Sequence, residues 1–430
     1  MKKRRHLTPM QAIALGFVLI ILLGTFLLML PAARKPDVNL SFLDALFTAT
    51  SAVCITGLLT ADAAEAFTAF GQVVLGVLIQ IGGLGITTIG LGFISMAGKK
   101  IRMRDRVLLR EALNYPSMMG LQGSIKWVLL TTFITEGIGA VLSFPVFLQD
   151  YPFWKAMGIS VFHSVSAFNN AGFDILEKGQ SLSAYADHPF FCLLTAVLAV
   201  AGGLGFFVIR ELSRRIHPKK WSLHTKVVLL MTALLIIGGT LLLKLTDDIS
   251  WMNAFFTSVA TRTAGFSTYG VEYFSGAGLL VIAMLMFIGA APGSTSGGIK
   301  ITSFFILVRA VIAYPTGRSV TAFRRRIPTQ TVHSALTLLV IAIGAIFAGT
   351  FILCLAEPEQ PFLHLFFEVL SAYTTVGFSM GATPELGTIA KICLILTMYA
   401  GRLGSLTVIS LFARKQAQLA ELPEEQLPVG

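Results

Sequence analysis

Four short stretches of this sequence carry a shared pattern that could coordinate a cation. They are Val53, Cys54, Ile55, Thr56, Gly57; Phe168, Asn169, Asn170, Ala171, Gly172; Thr261, Arg262, Thr263, Ala264, Gly265; and Tyr373, Thr374, Thr375, Val376, Gly377. Aligned on the glycine, each is preceded by a phenylalanine (Phe47, Phe162, Phe255, Phe367) and an alanine (Ala52, Ala167, Ala260, Ala372) in register. Each glycine is followed by Leu58, Phe173, Phe266 or Phe378. The side chains in between differ, so a shared chemistry has to come from the backbone. Rings of carbonyls from four segments can replace the hydration shell of K⁺. Glycine permits backbone conformations closed to other residues, which lets such carbonyls point inward.

A second stretch with chemical content is GAAPGSTSGGIK, inside a long apolar segment. Ala291, Pro292, Gly293, Ser294, Thr295, Ser296, Gly297 and Gly298 combine a proline, glycines and small hydroxyls, a composition that breaks a helix. Freed backbone groups at membrane depth need protein partners or water, so this stretch is expected to border a cavity and to serve as a gate. It lacks the spacing of a phosphate-binding loop. Arg402, in AGRLGS, puts a fixed cation within the last apolar segment, where IGGLGI at 81–86 and AGGLGF at 201–206 have glycine. A cation near the path would raise the barrier for another. Arg262 would oppose a cation if it faced the path, so it is expected to point away and pair with an acid as filter support. Glu368 is the preferred partner, with Asp174 and Asp44 as alternatives. Glu136 fits a packing hydrogen bond as well as an ion ligand; His163 and His364 fit packing or capping. Cys54, Cys192, Cys354 and Cys393 read as small buried hydrophobes. No nucleophile–base signature and no metal-ligand spacing is visible, and no tightly bound cofactor is expected.

The elements that must position these residues are membrane helices. The chain has 430 residues, 55% hydrophobic and 13% charged, more apolar surface than a soluble protein of this length can cover. Apolar segments recur near 8–32, 71–97, 127–147, 188–209, 227–243, 276–308, 333–355 and 392–412, giving eight expected spans. The first imitates a signal peptide, but its apolar run from Leu7 to Ala33 is about twice the usual signal core, so it reads as a retained span. The glycine segments lie between the two spans of each successive pair. Four units of span, short half-helix, glycine segment and span follow: 1–110, 111–220, 221–325 and 326–430.

Charge sets the orientation. Basic clusters occur at the N-terminus (MKKRRH), after the second, fourth and sixth segments (KKIRMRDR, RELSRRIHPKK, GRSVTAFRRR) and at the C-terminal end (ARK). Of 33 Lys and Arg, only Arg34, Lys35, Lys155, Lys178, Lys244 and Lys391 fall between spans on the opposite side. This positive-inside bias puts both termini in the cytoplasm. The formal charge of +11 is therefore topology, with attraction to anionic lipid, rather than a nucleic-acid signal. The half-helices then run inward from outside, and their partially negative C-terminal ends face the cation site.

On the four glycine segments, APGSTSGGIK at 291–300 and YAGRLGSLTV at 399–408, the chain resembles the Trk/Ktr/HKT superfamily of K⁺ transporters, most closely the bacterial KtrB-type K⁺-translocating subunit. The resemblance covers about residues 8–412. It implies an all-α integral membrane fold with four units around a pore in the cytoplasmic membrane, and K⁺ uptake gated by the 291–298 loop, with Arg402 at an inner constriction. It also implies a homodimer on a cytosolic ring of nucleotide-binding regulatory subunits, with Na⁺ as a possible activator. Family members with serine at the first of the four glycines tend towards Na⁺; Gly57 favours K⁺. The alternative is a secondary cation transporter with a midplane site, but such carriers are usually built from inverted repeats, whereas these units share one orientation.

Overall fold

The computed structural model describes residues 8–85, 88, 121–176, 181–214 and 217–404. The basic clusters at 1–7, 99–106 and 413–415, Lys178, and the ends of the expected second and eighth spans lie outside these residues.

Four long helices set the frame: α1 (Pro9–Met29), α5 (Leu121–Phe147), α9 (Leu223–Thr246) and α13 (Thr329–Ala356). Their 21, 27, 24 and 28 residues correspond to roughly 30–42 Å at 1.5 Å per residue, enough to cross a hydrocarbon core. Local signals start them where the sequence changes. Thr8 and Gln11 exchange side-chain and backbone hydrogen bonds in a capping box, with Pro9 as the first helical residue. Ser222 accepts the Thr225 N–H and is itself held by the Glu211 carboxylate.

Each long helix is followed by a short one: α2 (Phe42–Cys54), α6 (Phe153–Asn169), α10 (Trp251–Ala260) and α14 (Phe362–Thr374). Each short helix packs on the long helix before it and ends where a glycine segment begins. Between α2 and the next long apolar helix lies the one-turn α3 (Ala63–Ala66).

In the second apolar segment of each pair the first helix ends inside the spans expected at 71–97, 188–209, 276–308 and 392–412, and in 276–308 it ends before the stretch whose composition was expected to break a helix. Helix α4 (Ala69–Leu84) stops at Gly85, α7 (Pro189–Leu204) at Gly205 and α15 (Thr388–Leu403) at Gly404, with φ of 78°, 85° and 81°. A residue in that region breaks the helical hydrogen-bond ladder, and glycine adopts it without a Cβ clash. After Gly205 the chain turns by 100° into α8 (Phe206–Ser213). The third such segment is broken more widely. Helix α11 (Gly276–Phe287) and α12 (Ile301–Ala313) are separated by the loop Ile288–Lys300. Among the described residues, four helices are long and apolar enough to cross a membrane, and the bent α7–α8 pair makes a fifth if taken as one span. A two-residue hairpin (β1, Thr321–Ala322; β2, Arg325–Arg326) connects α12 to α13.

The interrupted helices close the bundle in a ring. Helix α4 packs on α2 and on α6, α7 on α6 and on α10, α11 on α14, and α15 on α14 and back on α2. An ion pair at 2.9 Å between Lys391 of α15 and Asp44 of α2 reinforces this closure. The distribution of polarity is inverted relative to a soluble protein. Leu19, Val141, Leu245 and Leu355 are each more than two-thirds exposed, while Thr50, Ser51, Ser166, Asn169, Glu368, Ser371 and Thr375 are buried at the centre.

Candidate functional site

The four glycines meet at the centre of the ring. A Cβ placed on Gly57 would stand 2.7 Å from the Ala171 carbonyl oxygen, and one on Gly172 3.0 Å from the Ala264 oxygen. One on Gly265 would overlap the Val376 oxygen, and one on Gly377 the Thr56 oxygen. The relation is cyclic: each glycine faces the carbonyl that precedes the next glycine, and the fourth returns to the first. Any side chain at these positions would crowd neighbouring backbone, and all four glycines already hold a positive φ.

The approach to each glycine is built from the end of its short helix. Ile55, Asn170 and Thr375 are left-handed, with φ of 52°, 56° and 52°, and the next residue donates its N–H back into the helix, to the carbonyls of Ser51, Ser166 and Ser371. The left-handed region is unfavourable for β-branched residues such as Ile55 and Thr375. Three of the four segments hold this conformation at the same place, which is how strain gathers at a functional site. The serines add a further tie. Ser51 Oγ accepts the Gly57 N–H at 3.1 Å and Ser371 Oγ accepts the Gly377 N–H at 3.0 Å.

The third segment reaches the same point differently. Val259 stands where the other three have serine. Helix α10 ends two residues earlier relative to its glycine, and the Ala260 carbonyl accepts the N–H groups of both Ala264 and Gly265. Thr263 takes φ of 87°. Arg262 is buried and its side chain points away from the ring, but the pair with Glu368 expected from the sequence is not formed. Arg262 Nη2 lies 3.4 Å from Thr232 Oγ1 on α9. Glu368 accepts from Ser379 Oγ (2.5 Å), Thr383 Oγ1 (2.5 Å) and the Met380 N–H (3.1 Å). Donors from the loop just after Gly377 fold back over α14 and saturate this carboxylate, leaving it no role towards the guanidinium. The alternatives do not pair with Arg262 either: Asp44 holds Lys391, and Asp174 accepts the Leu176 N–H.

The loop Ile288–Lys300, which contains all of the residues 291–298 singled out above, lies against the helix-end side of the glycine segments. Its two ends run side by side, with Gly289 N–H donating to Ile299 O and Ile301 N–H to Ala290 O. Its middle is threaded between the second and fourth segments. Ala291 N–H donates to Gly203 O, Gly293 O accepts the Phe206 N–H, and Thr295 Oγ1 accepts from Asn170 Nδ2 at 3.1 Å. Gly297 packs against the Thr375 side chain and Gly298 against Thr374. Arg402 fastens it: Nη1 donates to Thr295 O at 2.5 Å, while Nη2 donates to the Gly82 and Gly83 carbonyls at the end of α4. Lys300 Nζ donates to Ser296 O and Gly297 O, drawing the loop together. On the other side of the glycines is a cavity of about 830 Å³ lined by Gly57, Gly172, Gly265 and Gly377, with Asp62, Asp174 and Glu272 on its walls.

A family model described as a cation transport protein, TrkH, matches residues 3–421. The chain belongs to the TrkH family of cation transport proteins. This membership makes it a transporter rather than an enzyme. It is 40% identical to the potassium/sodium uptake protein NtpJ of Enterococcus hirae, over 100% of this chain and 99% of that protein. It is 37% identical to the Ktr system potassium uptake protein B of Bacillus subtilis, over 98% and 97% of the two chains. The crystal structure of the potassium transporter TrkH from Vibrio parahaemolyticus has the same fold, with a TM-score of 0.74 at 19% identity over 96% of this chain and 86% of that one.

Within this TrkH-family chain, two features of the site were missed by reading motifs. The serine preceding three of the four glycines is a repeat signal that lay in the same alignment as the phenylalanine and alanine positions. The polar contacts behind the second segment, from Asn169 to Gln80 and Glu136, join residues far apart in the chain and leave no local pattern. His163 is packed among Phe147, Phe191 and Phe266, with Nε2 at 2.9 Å from Thr195 Oγ1.

Proposed function

We propose that this protein takes up K⁺ across the cytoplasmic membrane through a path on the axis of the four glycine segments, whose carbonyls form the selectivity filter. The observation that carries this reading is the cyclic contact of each glycine with the carbonyl before the next one. A ring of four close-set carbonyls suits a dehydrated monovalent cation, and four short helices end beside it with their partially negative termini. The names of the relatives, potassium and potassium/sodium uptake proteins, agree with this cargo.

In this reading the chain consists of four units, 1–110, 111–220, 221–325 and 326–430, with eight spans, four of them broken at Gly85, Gly205, the 288–300 loop and Gly404. The loop and Arg402 form a gate on the cytoplasmic side of the filter. A cytosolic ring of nucleotide-binding subunits docked on the basic loops would bias the gate, the transporting unit would be a homodimer, and Na⁺ would act as an activator. The 830 Å³ cavity with its acidic wall would be the outer vestibule, where negative charge raises the local cation concentration.

The deciding experiment is uptake by a host that lacks its own K⁺ uptake. The parent chain, expressed with a cytosolic partner, should restore growth on limiting K⁺, and Gly57→Ser should lower K⁺ over Na⁺ preference about tenfold, because the added side chain meets the Ala171 carbonyl. Unchanged ion preference in a variant that reaches the membrane would refute the filter.

A further inference from the structure

We propose that Glu136, on α5 and outside the four glycine segments, is a positioning residue that holds the second segment through Asn169 and so contributes to ion preference. The proposal rests on the reading of the glycine segments as a filter. Asn169 is the last residue of α6, fully buried, three residues before Gly172. Its backbone carbonyl belongs to the segment, and its side chain reaches backwards. Nδ2 lies 3.0 Å from Glu136 Oε1, 2.9 Å from Gln80 Oε1 on α4 and 2.9 Å from the Val165 carbonyl. Two hydrogens thus face three acceptors, two of which belong to other helices. The amide is also confined sterically: a Cβ on Gly83 would overlap Asn169 Oδ1. Ser164 Oγ donates to the Glu136 carbonyl at 2.6 Å, which fixes α5 against α6 at this level.

The consequence for the segment is two-sided. Asn169 is tied outward to Glu136 and Gln80, and the next residue, left-handed Asn170, is tied inward to Thr295 of the loop. Rotation of the 169–170 peptide would strip one or both amides of their partners inside the protein, where an unmade hydrogen bond is not replaced by water. The equivalent positions elsewhere are built otherwise. Thr374 Oγ1 donates within its own helix, to Leu370 O. Arg262 reaches Thr232 at 3.4 Å, and Cys54 is buried among apolar residues. Among the described residues, the position three before the glycine is tied to a carboxylate only in the second segment. A buried carboxyl group adds little to packing that an apolar side chain would not supply, so its use here points to the orientation of the segment.

The test compares Na⁺ and K⁺ uptake in a K⁺-uptake-deficient host producing the full-length chain, normalised to protein in the membrane, for Glu136→Leu, Glu136→Gln, Asn169→Ala, the Glu136→Leu/Asn169→Ala double variant and Gly172→Ser as the filter control. Glu136→Leu should raise Na⁺ relative to K⁺ uptake about fivefold, the size expected for one lost buried hydrogen bond. Glu136→Gln, whose amide oxygen still accepts from Asn169, should stay near the parent. The double variant should match Asn169→Ala, because Glu136 acts through that residue. If Glu136→Leu does not reach the membrane, Gln80→Leu, which removes the other interhelical acceptor, should give a shift in the same direction. Parental ion preference in Glu136→Leu or in its substitute while Gly172→Ser loses it would overturn the proposal and leave the filter standing. So would equal effects of Leu and Gln at 136, or additive effects in the double variant. If Gly172→Ser itself keeps the parental preference, the filter reading fails and this proposal falls with it.

Discussion

The third glycine segment and the other three solve one problem in two ways. The first, second and fourth segments share a helix end in which a left-handed residue sits two before the glycine, and each is preceded by a serine, Ser51, Ser166 or Ser371. The apolar helices that follow end at a glycine, Gly85, Gly205 or Gly404. The third has Val259 in place of the serine and compensates with backbone, since Ala260 O accepts from both Ala264 and Gly265. Its following helix opens into the whole loop Ile288–Lys300. The ring still closes: Gly265 meets Val376 O as the other glycines meet their neighbours. Closure of the ring is therefore independent of how each segment is supported from behind. Three segments share one construction, and the third departs from it where the loop Ile288–Lys300 is inserted.

The strongest way to break this comparison is to remove the inserted element. Shortening 291–298 in the proposed gate should raise K⁺ flux into proteoliposomes by at least about tenfold and reduce dependence on a cytosolic partner, because the loop fills space beneath the carbonyl ring. Ion preference should be largely retained. A folded, shortened protein that conducts no faster than the parent would move the gate away from the loop.

Arg402→Gln comes next. It removes the donors to Thr295 O, Gly82 O and Gly83 O, and so the link from the loop to α4 and α15. Flux should rise about three- to tenfold, in line with the loss of one or two charge-assisted hydrogen bonds at roughly 1.5 kcal/mol or less in net effect on the gate. Parallel flux measurements on Arg402→Gln and Arg262→Gln sharpen the contrast, since Arg262 hydrogen-bonds to Thr232 on α9 rather than to the loop and should leave flux near the parental value.

Stability gives the third comparison. Glu368→Ala should lower stability by about 2–4 kcal/mol, because three donors around a buried carboxylate lose their acceptor. Arg262→Gln should cost about 1 kcal/mol or less, because only one long hydrogen bond is lost. Thermal denaturation of detergent-extracted protein ranks the two, and a larger loss for Arg262→Gln would restore a tight partner for that guanidinium.

The smallest effects separate the segments by their serines. Ser51→Ala and Ser371→Ala should each cost about 1 kcal/mol, the net value of one buried hydrogen bond. Ser166→Ala should be nearly neutral, because among the described residues Ser166 Oγ has no hydrogen-bond partner. The same denaturation series checks this, and equal losses at all three positions would mean that the second segment is tied like the first and fourth.

Much of this organisation was legible in the chain itself. Membrane helices followed from composition and apolar run length, because burial of a polar backbone in lipid leaves few alternatives. The four glycine segments followed from register, because a residue type that recurs at one place in an internal repeat reflects a backbone requirement. The position of the loop followed from proline and glycine inside an apolar run. The break at Gly85, Gly205 and Gly404 was within reach, since the GGLG and GRLG stretches were visible, but a glycine inside an apolar run is equally compatible with an unbroken helix. Only the conformation decided it.

What the tertiary structure alone decided are pairings between distant residues. The sequence offered Arg262 a partner by charge complementarity, and Glu368 was the nearest sensible choice. The structure gave Glu368 to Ser379, Met380 and Thr383, because local donors reach a carboxylate at less conformational cost than a side chain from another helix. It brought Arg402 to Gly82 and Thr295, and Asn169 to Glu136 and Gln80. Local chemistry determines which residues form helices, turns and breaks, since those preferences act over a few neighbours. Which buried polar group meets which depends on how the bundle closes, and closure is a property of all the helices at once.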